Sequence, residues 1–307
     1  MKIVVMEKIE MNDEQINRLK TLGDVISYHD SPNTEQVIER AKDAGIIIVD
    51  WTEVNPLLGH IPKTKLIALM STGYAWVDTK KARNLGIAIT NVPGYATEAV
   101  AEHAFGLMIS VLKNIVKADK SVRKGKWEKE PFKGSELKGK TLGIVGLGRI
   151  GSRVAEIAMG FGMKVIANNA KPKSMNGVEM VTLNELLKRS DVVTLHCDLN
   201  PTSEQLIGED QFNLMKPSAI LINTSNGKLV DTEALVKALK ENKIAGAGID
   251  RIEPEKLDNS HQLLQFDNVV ITPHIAFNTN EALSRRVDIC IDNIEAFIKG
   301  KPQNIVN

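Results

Sequence analysis

The 307-residue chain has little of what marks secreted, membrane or nucleic-acid-binding proteins. Its only two cysteines, Cys197 and Cys290, lack metal-ligand spacing, so we expect reduced thiols in a cytoplasmic protein. No apolar run approaches the roughly 18 residues that span a membrane, and the first apolar stretch is too short for a signal peptide. Aromatic residues make up 4% of the chain and the formal charge is +1, which argues against a nucleic-acid partner.

Arginine is also scarce in this chain. Only ten of the 39 basic residues are arginines, although arginine is the usual clamp for a small carboxylate. Hydrophobic residues, at 43%, are abundant enough for more than one core. At roughly 150 residues per domain, the length predicts about two domains.

Short β-branched runs alternate with helical patterns, which predicts parallel sheets covered by helices on both faces. In the first part we expect strands at 2–5, 24–28, 45–50, 65–71 and 86–90, and helices at 12–21, 34–43 and 77–85. Asn12 and Thr34 are the expected N-caps of the first two helices. One long apolar helix, from about Thr97 to Arg123, comes next. A second series then places strands at 141–145, 163–167, 192–196, 219–223, 245–250 and 269–272, with helices in each gap.

A glycine-rich turn follows the first strand of the second series. Gly146, Gly148 and Gly151 lie between that strand and a helix expected from about Ile150 to Gly160. In this setting the first glycine permits a tight turn, the second lets the backbone approach a pyrophosphate, and the third allows close helix–strand packing. The helix N-terminus then faces the phosphates. The pattern predicts a dinucleotide-binding site.

The next strand lacks the acidic residue that holds the adenosine ribose in such sites. It ends in Asn168 and Asn169, and Lys171 and Lys173 follow. The amide of Asn169 can bond a hydroxyl without repelling a 2′-phosphate, and either lysine can pair with that phosphate. We therefore expect NADP to be accepted or preferred, with NAD held by an amide as the alternative.

From Leu66 to Phe277 the chain resembles the D-isomer-specific 2-hydroxyacid dehydrogenases. The matching residues, in family order, are Ser71–Tyr74, Asn91–His103, Gly146–Gly151, Leu221–Thr224, Gly227–Asp231 and Asn268–Ala276. The resemblance implies two Rossmann-like α/β domains: a flavodoxin-like substrate domain (residues 1–98 and 284–307) and an inserted, doubly wound NAD(P)-binding domain (residues 99–283). It also implies an NAD(P)-dependent oxidoreductase with a small-molecule substrate, and a homodimer formed through the helix at 97–123.

The resemblance assigns roles to single residues. His274 matches the catalytic histidine, and imidazole exchanges protons near neutral pH. Glu255, nineteen residues earlier, is the expected partner that orients this imidazole, with Glu253 as the alternative. The amides of Thr72 and Gly73 are expected against the substrate carboxylate. The expected cofactor contacts are Thr97, Gly146, Gly148, Arg149, Ile150, Gly151, Asn168, Asn169, Lys171, His196, Thr224, Asp250 and Ala276.

The third catalytic position departs from the family pattern. The family carries arginine in the segment Asn-Thr-x-Arg-Gly, whereas Asn226 occupies that place in this chain. A neutral amide cannot form a charged, bidentate clamp on a carboxylate. Three explanations stay open: a substrate without a carboxylate beside the ketone, a substitute cation at Lys228 or Arg251, or a cofactor-binding sensor that has lost catalysis.

Overall fold

The computed structural model describes residues 1–253 and 258–307 and divides the chain into two compact units. Unit 1 comprises Met1–Ala96 and Asn278–Asn307, and unit 2 comprises Thr97–Phe277. The domain limits predicted from sequence, after residues 98 and 283, fall in the first turns of two helices that begin at Thr97 and Asn280. The boundary between unit 1 and unit 2 lies just before each of these helices, so each helix belongs to a single unit.

Strands and helices largely alternate along the chain. Residues 1–96 contain β1 (Lys2–Val5), α1 (Asp13–Leu22), β2 (Asp24–Ser27), α2 (Thr34–Ala41), β3 (Ile46–Val49), β4 (Leu66–Leu69), α3 (Thr79–Asn84) and β5 (Ala88–Thr90). Unit 2 contains α4 (Thr97–Leu112), α5 (Ile115–Arg123), β6 (Thr141–Val145), α6 (Arg149–Gly160), β7 (Lys164–Asn168), β8 (Val178–Met180), α7 (Leu183–Arg189), β9 (Val192–Leu195), α8 (Glu209–Leu214), β10 (Ile220–Asn223), α9 (Thr232–Lys240), β11 (Gly246–Ile249) and β12 (Val269–Ile271). The chain ends with α10 (Asn280–Ile298), and short 3-10 helices lie at Asn55–Leu57, Glu130–Phe132, Gly227–Leu229 and Gln262–Gln265.

Each unit is built on one parallel sheet, which confirms the predicted α/β class. The sheet of unit 1 has the order β2-β1-β3-β4-β5, the flavodoxin-like order. The sheet of unit 2 has the order β12-β11-β10-β9-β6-β7-β8, which is the doubly wound order of dinucleotide-binding folds with one further strand. Every residue of the central strands β3, β4, β9 and β10 is buried, because helices cover both faces of such sheets.

The carboxylate of Glu7 closes the point in unit 1 where the strand order reverses, between β1 and β3. Its Oε1 accepts hydrogen bonds from the backbone amides of Asp50, Trp51 and Thr52 at 2.5, 3.1 and 3.2 Å. Its Oε2 accepts one from the Thr52 hydroxyl at 3.1 Å. Successive amides that converge on one point form an anion-binding nest. In unit 1 the chain's own carboxylate fills this nest, so the nest is closed to a phosphate.

The long helix predicted from Thr97 to Arg123 is two helices, and its predicted continuity was wrong. The axes of α4 and α5 are bent by 62°. Between them Asn114 takes a left-handed conformation with φ 53°, which asparagine adopts more readily than most residues. The Leu112 carbonyl accepts a hydrogen bond from the Ser135 amide at 2.9 Å where the helix stops.

No single described helix is long and apolar enough to cross a membrane; only α4 and α5 counted together, across their bend, reach that length and composition.

Two local predictions are also corrected. Asn12 caps α1 as predicted, but the N-cap of α2 is Asn33 and not Thr34. Asn33 and Gln36 exchange backbone-to-side-chain hydrogen bonds, both of 2.9 Å, and this reciprocal box requires glutamine three residues after the cap. The second series also differs from the prediction in two gaps: an additional strand, β8, precedes α7 between β7 and β9, and the described residues between β11 and β12 form only the 3-10 helix Gln262–Gln265. β8 has only three residues, and Glu179 separates its two apolar residues, so it lacks the apolar run by which the other strands were predicted.

Candidate functional site

The predicted site residues of unit 2 follow neighbouring strands at the carboxyl edge of its sheet. In spatial order these are Asp250 after β11, Thr224 after β10, His196 after β9, Gly146 after β6 and Asn168 at the end of β7. The strand order reverses between β6 and β9. Doubly wound sheets bind their ligands outside the carboxyl ends of the strands at such a reversal. The fold therefore brings residues more than 100 positions apart to one candidate site.

The three glycines of the turn after β6 differ in what surrounds them. Gly146 has φ +97°, and a Cβ there would lie 2.6 Å from the Cys197 amide nitrogen. A Cβ at Gly151 would lie 2.1 Å from the Gly146 carbonyl oxygen. At Gly148, the N-cap of α6, a Cβ would meet no described heavy atom within 4 Å. Close packing thus requires glycine at positions 146 and 151. Gly148 instead leaves space in front of the first amides of α6. In that first turn Arg149 is exposed and Ile150 is half-buried.

Two buried polar atoms at this edge of the sheet have no hydrogen-bond partner among the described residues. One is Nδ1 of His196, whose Nε2 lies 2.9 Å from the Thr194 hydroxyl. The other is Oγ1 of Thr224, at the end of the next strand. A buried polar atom without a partner costs about 1–3 kcal/mol, so such atoms commonly mark a site that a ligand completes. Together with the space at Gly148, they fit a polar ligand such as a dinucleotide.

Burial lowers the pKa of His196 to about 3, because desolvation disfavours the charged imidazolium. Burial likewise raises the pKa of the adjacent Cys197 thiol, and both cysteines are free thiols. His196 is therefore neutral at physiological pH. It is suited to hydrogen bonding a ligand and not to proton transfer.

The loop after β7 is bound to the glycine-rich turn. Oδ1 of Asn169 accepts a hydrogen bond from the Leu147 amide at 3.0 Å, and its Nδ2 donates to the Lys171 carbonyl at 2.7 Å. The ammonium of Lys173 donates to the Leu147 carbonyl, and it lies 3.2 Å from Oγ of Ser152. Lys171 is exposed. The sequence offered Lys171 and Lys173 as candidates to pair with a 2′-phosphate. Of the two, Lys173 is held against the glycine-rich turn.

The turn Thr272–Ala276, which carries His274, wraps around Asp250. Oδ1 of the buried Asp250 accepts from the Thr272 hydroxyl at 2.5 Å and from the Ile275 amide at 2.9 Å, while Oδ2 accepts from the Ala276 amide at 2.9 Å. The His274 amide donates to the Asp250 carbonyl at 2.7 Å. These bonds hold His274 at φ 54°, a left-handed conformation that is unfavourable for a non-glycine residue. A carboxylate has about four acceptor sites, so one acceptor site of Asp250, on Oδ2, is left for a ligand.

Sequence reasoning missed two residues near His274. The His103 ring, on α4, has its Nε2 2.9 Å from the Thr272 hydroxyl and 3.5 Å from Oδ1 of Asp250. The Phe277 ring stands edge-on to the His274 imidazole, with 5.5 Å between ring centroids. His103 ends a motif that supports the resemblance, but helical spacing alone does not show which distant residue it meets.

The loop that carries Asn226 is tightly packed. Asn226 caps the 3-10 helix Gly227–Leu229, because its Oδ1 accepts from the Lys228 amide at 3.0 Å. Its carbonyl accepts from Nδ2 of Asn223 at 3.0 Å. A Cβ at Gly227 would lie 2.7 Å from the carbonyl carbon of Ile252. The half-buried Asn226 amide is therefore held in a fixed loop against the segment that follows β11.

The other charged candidates near this loop differ in their placement. The side chain of Lys228 is exposed. Arg251 lines a small crevice together with Asn223 and Gly227. Glu253 is half-buried, and Glu255 lies outside the described residues.

The substrate-contacting loop expected in unit 1 follows β4. The Thr72 hydroxyl donates to the Val92 carbonyl at 2.9 Å, and the Thr72 carbonyl accepts from Nδ2 of Asn91 at 2.7 Å. Gly73 faces open space, and its carbonyl accepts from the Trp76 indole at 3.2 Å. Internal hydrogen bonds thus shape this loop, while Thr72, Gly73 and Trp76 stay exposed. Of the remaining predicted contacts, Thr97 begins α4 and Ala276 is buried in the turn around Asp250.

Known proteins are similar to this chain in sequence and in fold. Residues 105–276 match the family described as D-isomer specific 2-hydroxyacid dehydrogenase, NAD binding domain. The glyoxylate reductase of Thermococcus litoralis is 45% identical in sequence to this chain, over 87% of this chain and 84% of the reductase. The hydroxypyruvate reductase of Blautia hydrogenotrophica is 36% identical over the whole of both chains. A solved structure of the acyclic imino acid reductase Bsp5, in complex with NADPH and D-Arg, has a TM-score of 0.93 and 36% identity, with both chains fully covered.

The depressed pKa of His196 predicts a loss of stability in mild acid. The pKa is near 6.5 in the unfolded chain and about 3 in the folded one, so the unfolded chain binds a proton first as the pH falls. The stability that this difference provides is complete above pH 6.5 and decreases towards pH 3, by about 2 kcal/mol at pH 5. In His196→Gln, which keeps an amide near Thr194 and does not titrate, the unfolding free energy should fall less between pH 7 and pH 5.

Urea unfolding at the two pH values measures this difference. His60→Gln, at an exposed position, is the matched control and should behave like the wild type. An equal loss of stability in wild type and His196→Gln would contradict the prediction.

Proposed function

Because the chain belongs to the D-isomer-specific 2-hydroxyacid dehydrogenase family, whose members are nicotinamide-dependent oxidoreductases, we propose that it reduces a small 2-oxo acid or a related carbonyl compound. The observation that carries this proposal is the turn Thr272–Ala276. Its hydrogen bonds to Asp250 place His274 at the sheet edge that also carries the glycine-rich turn. In the opposite direction the same groups would oxidise the corresponding 2-hydroxy acid.

In this proposal the residues of the chain manage the proton. When bound, the nicotinamide supplies hydride to the carbonyl carbon. His274 gives its imidazolium proton to the carbonyl oxygen, so the C=O bond becomes CH–OH and the imidazole is left neutral. Asp250 holds the backbone of His274, and its Oδ2 would accept a hydrogen bond from the carboxamide of a bound nicotinamide. Glu255 is the residue proposed to orient the imidazole, with Glu253 as the alternative.

The role of Glu255 predicts a kinetic difference between two glutamates. We expect Glu255→Gln to lower kcat for reduction by about a hundredfold, the lower end of what acid–base catalysis contributes. Steady-state kinetics at neutral pH measure this effect. Glu253→Gln is the matched control, and the reverse ranking of the two variants would transfer the role to Glu253.

NADP is the proposed cofactor, with NAD as the alternative. The residues near the glycine-rich turn that support this choice are Asn169, which is neutral where an acidic residue would repel a 2′-phosphate, and Lys173. The Lys173 ammonium is already held against the turn by the Leu147 carbonyl and Ser152. Because the Lys173 side chain is already ordered, phosphate binding would cost it little further conformational entropy. The exposed Lys171 adds a second positive charge. The Bsp5 reductase complex contains NADPH.

Removal of the Lys173 charge should separate the two cofactors. In Lys173→Gln we expect KM for NADPH to rise about tenfold, which corresponds to the roughly 1.4 kcal/mol within reach of one charge-assisted contact. KM for NADH should stay within about twofold, because NADH has no 2′-phosphate. Lys188→Gln, at an exposed position of α7, makes the same charge change and is the control. An equal rise for both nucleotides, or a wild type that strongly prefers NADH, would contradict the NADP assignment.

The neutral residue at position 226 bears on the choice of substrate. With asparagine there, the site lacks the guanidinium that polarises a ketone and holds the neighbouring carboxylate. We rank first a substrate without that carboxylate, towards which the Asn226 amide donates. Arg251 or Lys228 as a substitute cation comes second, and a cofactor sensor without catalysis comes third.

A second candidate function is the reduction of an imine. A protonated imine carries its own positive charge, so an arginine beside it would repel the substrate, whereas the neutral Asn226 amide does not. The same charge activates the carbon towards hydride without a cationic side chain. The likeness to an imino acid reductase over the whole chain supports this candidate.

Replacement of Asn226 by arginine tests these hypotheses together. With NADPH and glyoxylate or hydroxypyruvate, we expect Asn226→Arg to raise kcat/KM at least tenfold, because a restored clamp is worth several kcal/mol in the transition state. With pyruvate and ammonium, which form an imine in solution, the same variant should lose rate. Asn226→Gln keeps the neutral amide and separates charge from side-chain length.

Each outcome of this experiment favours one hypothesis. An imine activity of the wild type that arginine abolishes supports the second candidate. A wild type that already reduces glyoxylate well, and that arginine slows, supports a substitute cation. A wild type that binds NADPH but reduces neither carbonyls nor imines leaves the sensor hypothesis and overturns the proposed enzyme activity.

The assembly and cellular location proposed for the protein are a homodimer and the cytoplasm. Ile115 and Val122 on α5 are 48% and 47% exposed, and Trp127 is 83% exposed. Large exposed apolar side chains of this kind often mark protein contacts. A solution mass near twice 33.8 kDa by light scattering would support the dimer, and a monomer mass would exclude it. The two free thiols agree with a reducing compartment.

A further inference from the structure

We infer that His103 is a positioning residue for the proposed reaction. Through the Thr272 hydroxyl it holds the carboxylate of Asp250, and through Asp250 it holds the turn that carries His274. The inference rests on the proposed role of His274 as the proton donor. His103 itself lies on α4, 169 residues before Thr272 in sequence, and its imidazole contacts Thr272 and Asp250.

The direction of the hydrogen bonds follows from the donors available. The Thr272 hydroxyl has one proton, and it donates that proton to Oδ1 of Asp250 at 2.5 Å. The same hydroxyl oxygen lies 2.9 Å from Nε2 of His103 and must therefore accept from it. His103 consequently carries a proton on Nε2. The chain of donors runs from His103 to Thr272 to Asp250.

This chain of hydrogen bonds orients the carboxylate on which the turn depends. Oδ1 and Oδ2 of Asp250 accept from the amides of Ile275 and Ala276, one oxygen for each amide. Rotation of the carboxylate would break both bonds. His274, held at φ 54°, would then lose the contacts that balance its unfavourable backbone conformation. A bond that stops this rotation therefore also fixes the proton donor.

The helix that carries His103 gives it a rigid base. α4 packs against β10, β11 and β12 of the same sheet, and the neighbouring Ala101, Ala104 and Phe105 are buried. The His103 side chain is 22% exposed, whereas that of Asp250 is 1% exposed. A rigid element beneath a partly open imidazole is what accurate positioning of a nearby turn requires.

Substitutions at His103 and Thr272 test the inference. His103→Leu and Thr272→Val remove the hydrogen bond at either end, while His103→Gln and Thr272→Ser keep a donor and a hydroxyl at similar reach. With NADPH and glyoxylate, we expect kcat to fall about tenfold in the first pair, because small displacements of a catalytic group are costly. KM for glyoxylate and Kd for NADPH should stay within about twofold. The second pair, and the surface control Glu102→Gln, should stay within about threefold of the wild-type kcat.

Two further readouts separate positioning from a general structural role. The double variant of His103→Leu with Thr272→Val should be no slower than Thr272→Val alone, because Thr272→Val already removes the hydrogen bond that His103→Leu breaks. Amide hydrogen exchange followed by NMR should be about tenfold faster at Ile275 and Ala276 in His103→Leu and Thr272→Val, and unchanged in His103→Gln and Thr272→Ser.

The outcomes distinguish this inference from the proposed function. If His103→Leu matches the wild type in both kcat and amide exchange, or if His103→Gln is as impaired as His103→Leu, the positioning role is overturned. If the wild type reduces no carbonyl compound or imine, the proposed activity fails. In that case unchanged exchange at Ile275 and Ala276 in His103→Leu would still overturn the link from His103 to the turn, and faster exchange would support it.

Discussion

The hydrogen bonds from the turn Thr272–Ala276 to Asp250 are the interaction on which the proposed catalytic centre depends. His274 is held in a left-handed backbone conformation that a non-glycine residue does not favour on its own. A single buried carboxylate compensates by accepting from two amides and a hydroxyl of the turn. The histidine that would move the proton is thus placed by an aspartate at the end of the neighbouring strand, and that strand belongs to the sheet that carries the glycine-rich turn.

The two units use related sheets for different purposes, and the difference lies where each strand order reverses. In unit 1 the amides of Asp50, Trp51 and Thr52 converge on the carboxylate of Glu7, which neutralises the nest from within. In unit 2 the turn at Gly146 leaves open space at Gly148, and buried polar atoms of His196 and Thr224 have no hydrogen-bond partner among the residues that the structure describes. A phosphate would be repelled from the first reversal point and accepted at the second. The physical contrast agrees with a cofactor site in unit 2.

Features that depend on a few consecutive residues were predictable from the sequence, whereas features that depend on contacts between distant residues were not. The glycine-rich turn, the Asn12 cap and the alternation of strands and helices depend on a few consecutive residues, and the structure confirms them. The break at Asn114 was missed because the apolar pattern continues across it, while a hydrogen bond from Ser135 stabilises the helix end. The edge strand β8 was missed because it has only three residues and Glu179 interrupts its apolar residues.

The sequence by itself determined the family, the doubly wound cofactor-binding fold, and the neutral residue at position 226, because each depends on residue identity at positions that match a motif. Tertiary structure alone decided which groups act together. It placed His103 against Thr272, bound Lys173 to the Leu147 carbonyl, and desolvated the His196 imidazole enough to keep it neutral. The physical reason is that hydrogen-bond direction, desolvation and charge pairing depend on neighbours in space. In a parallel sheet those neighbours come from strands that lie far apart in the chain.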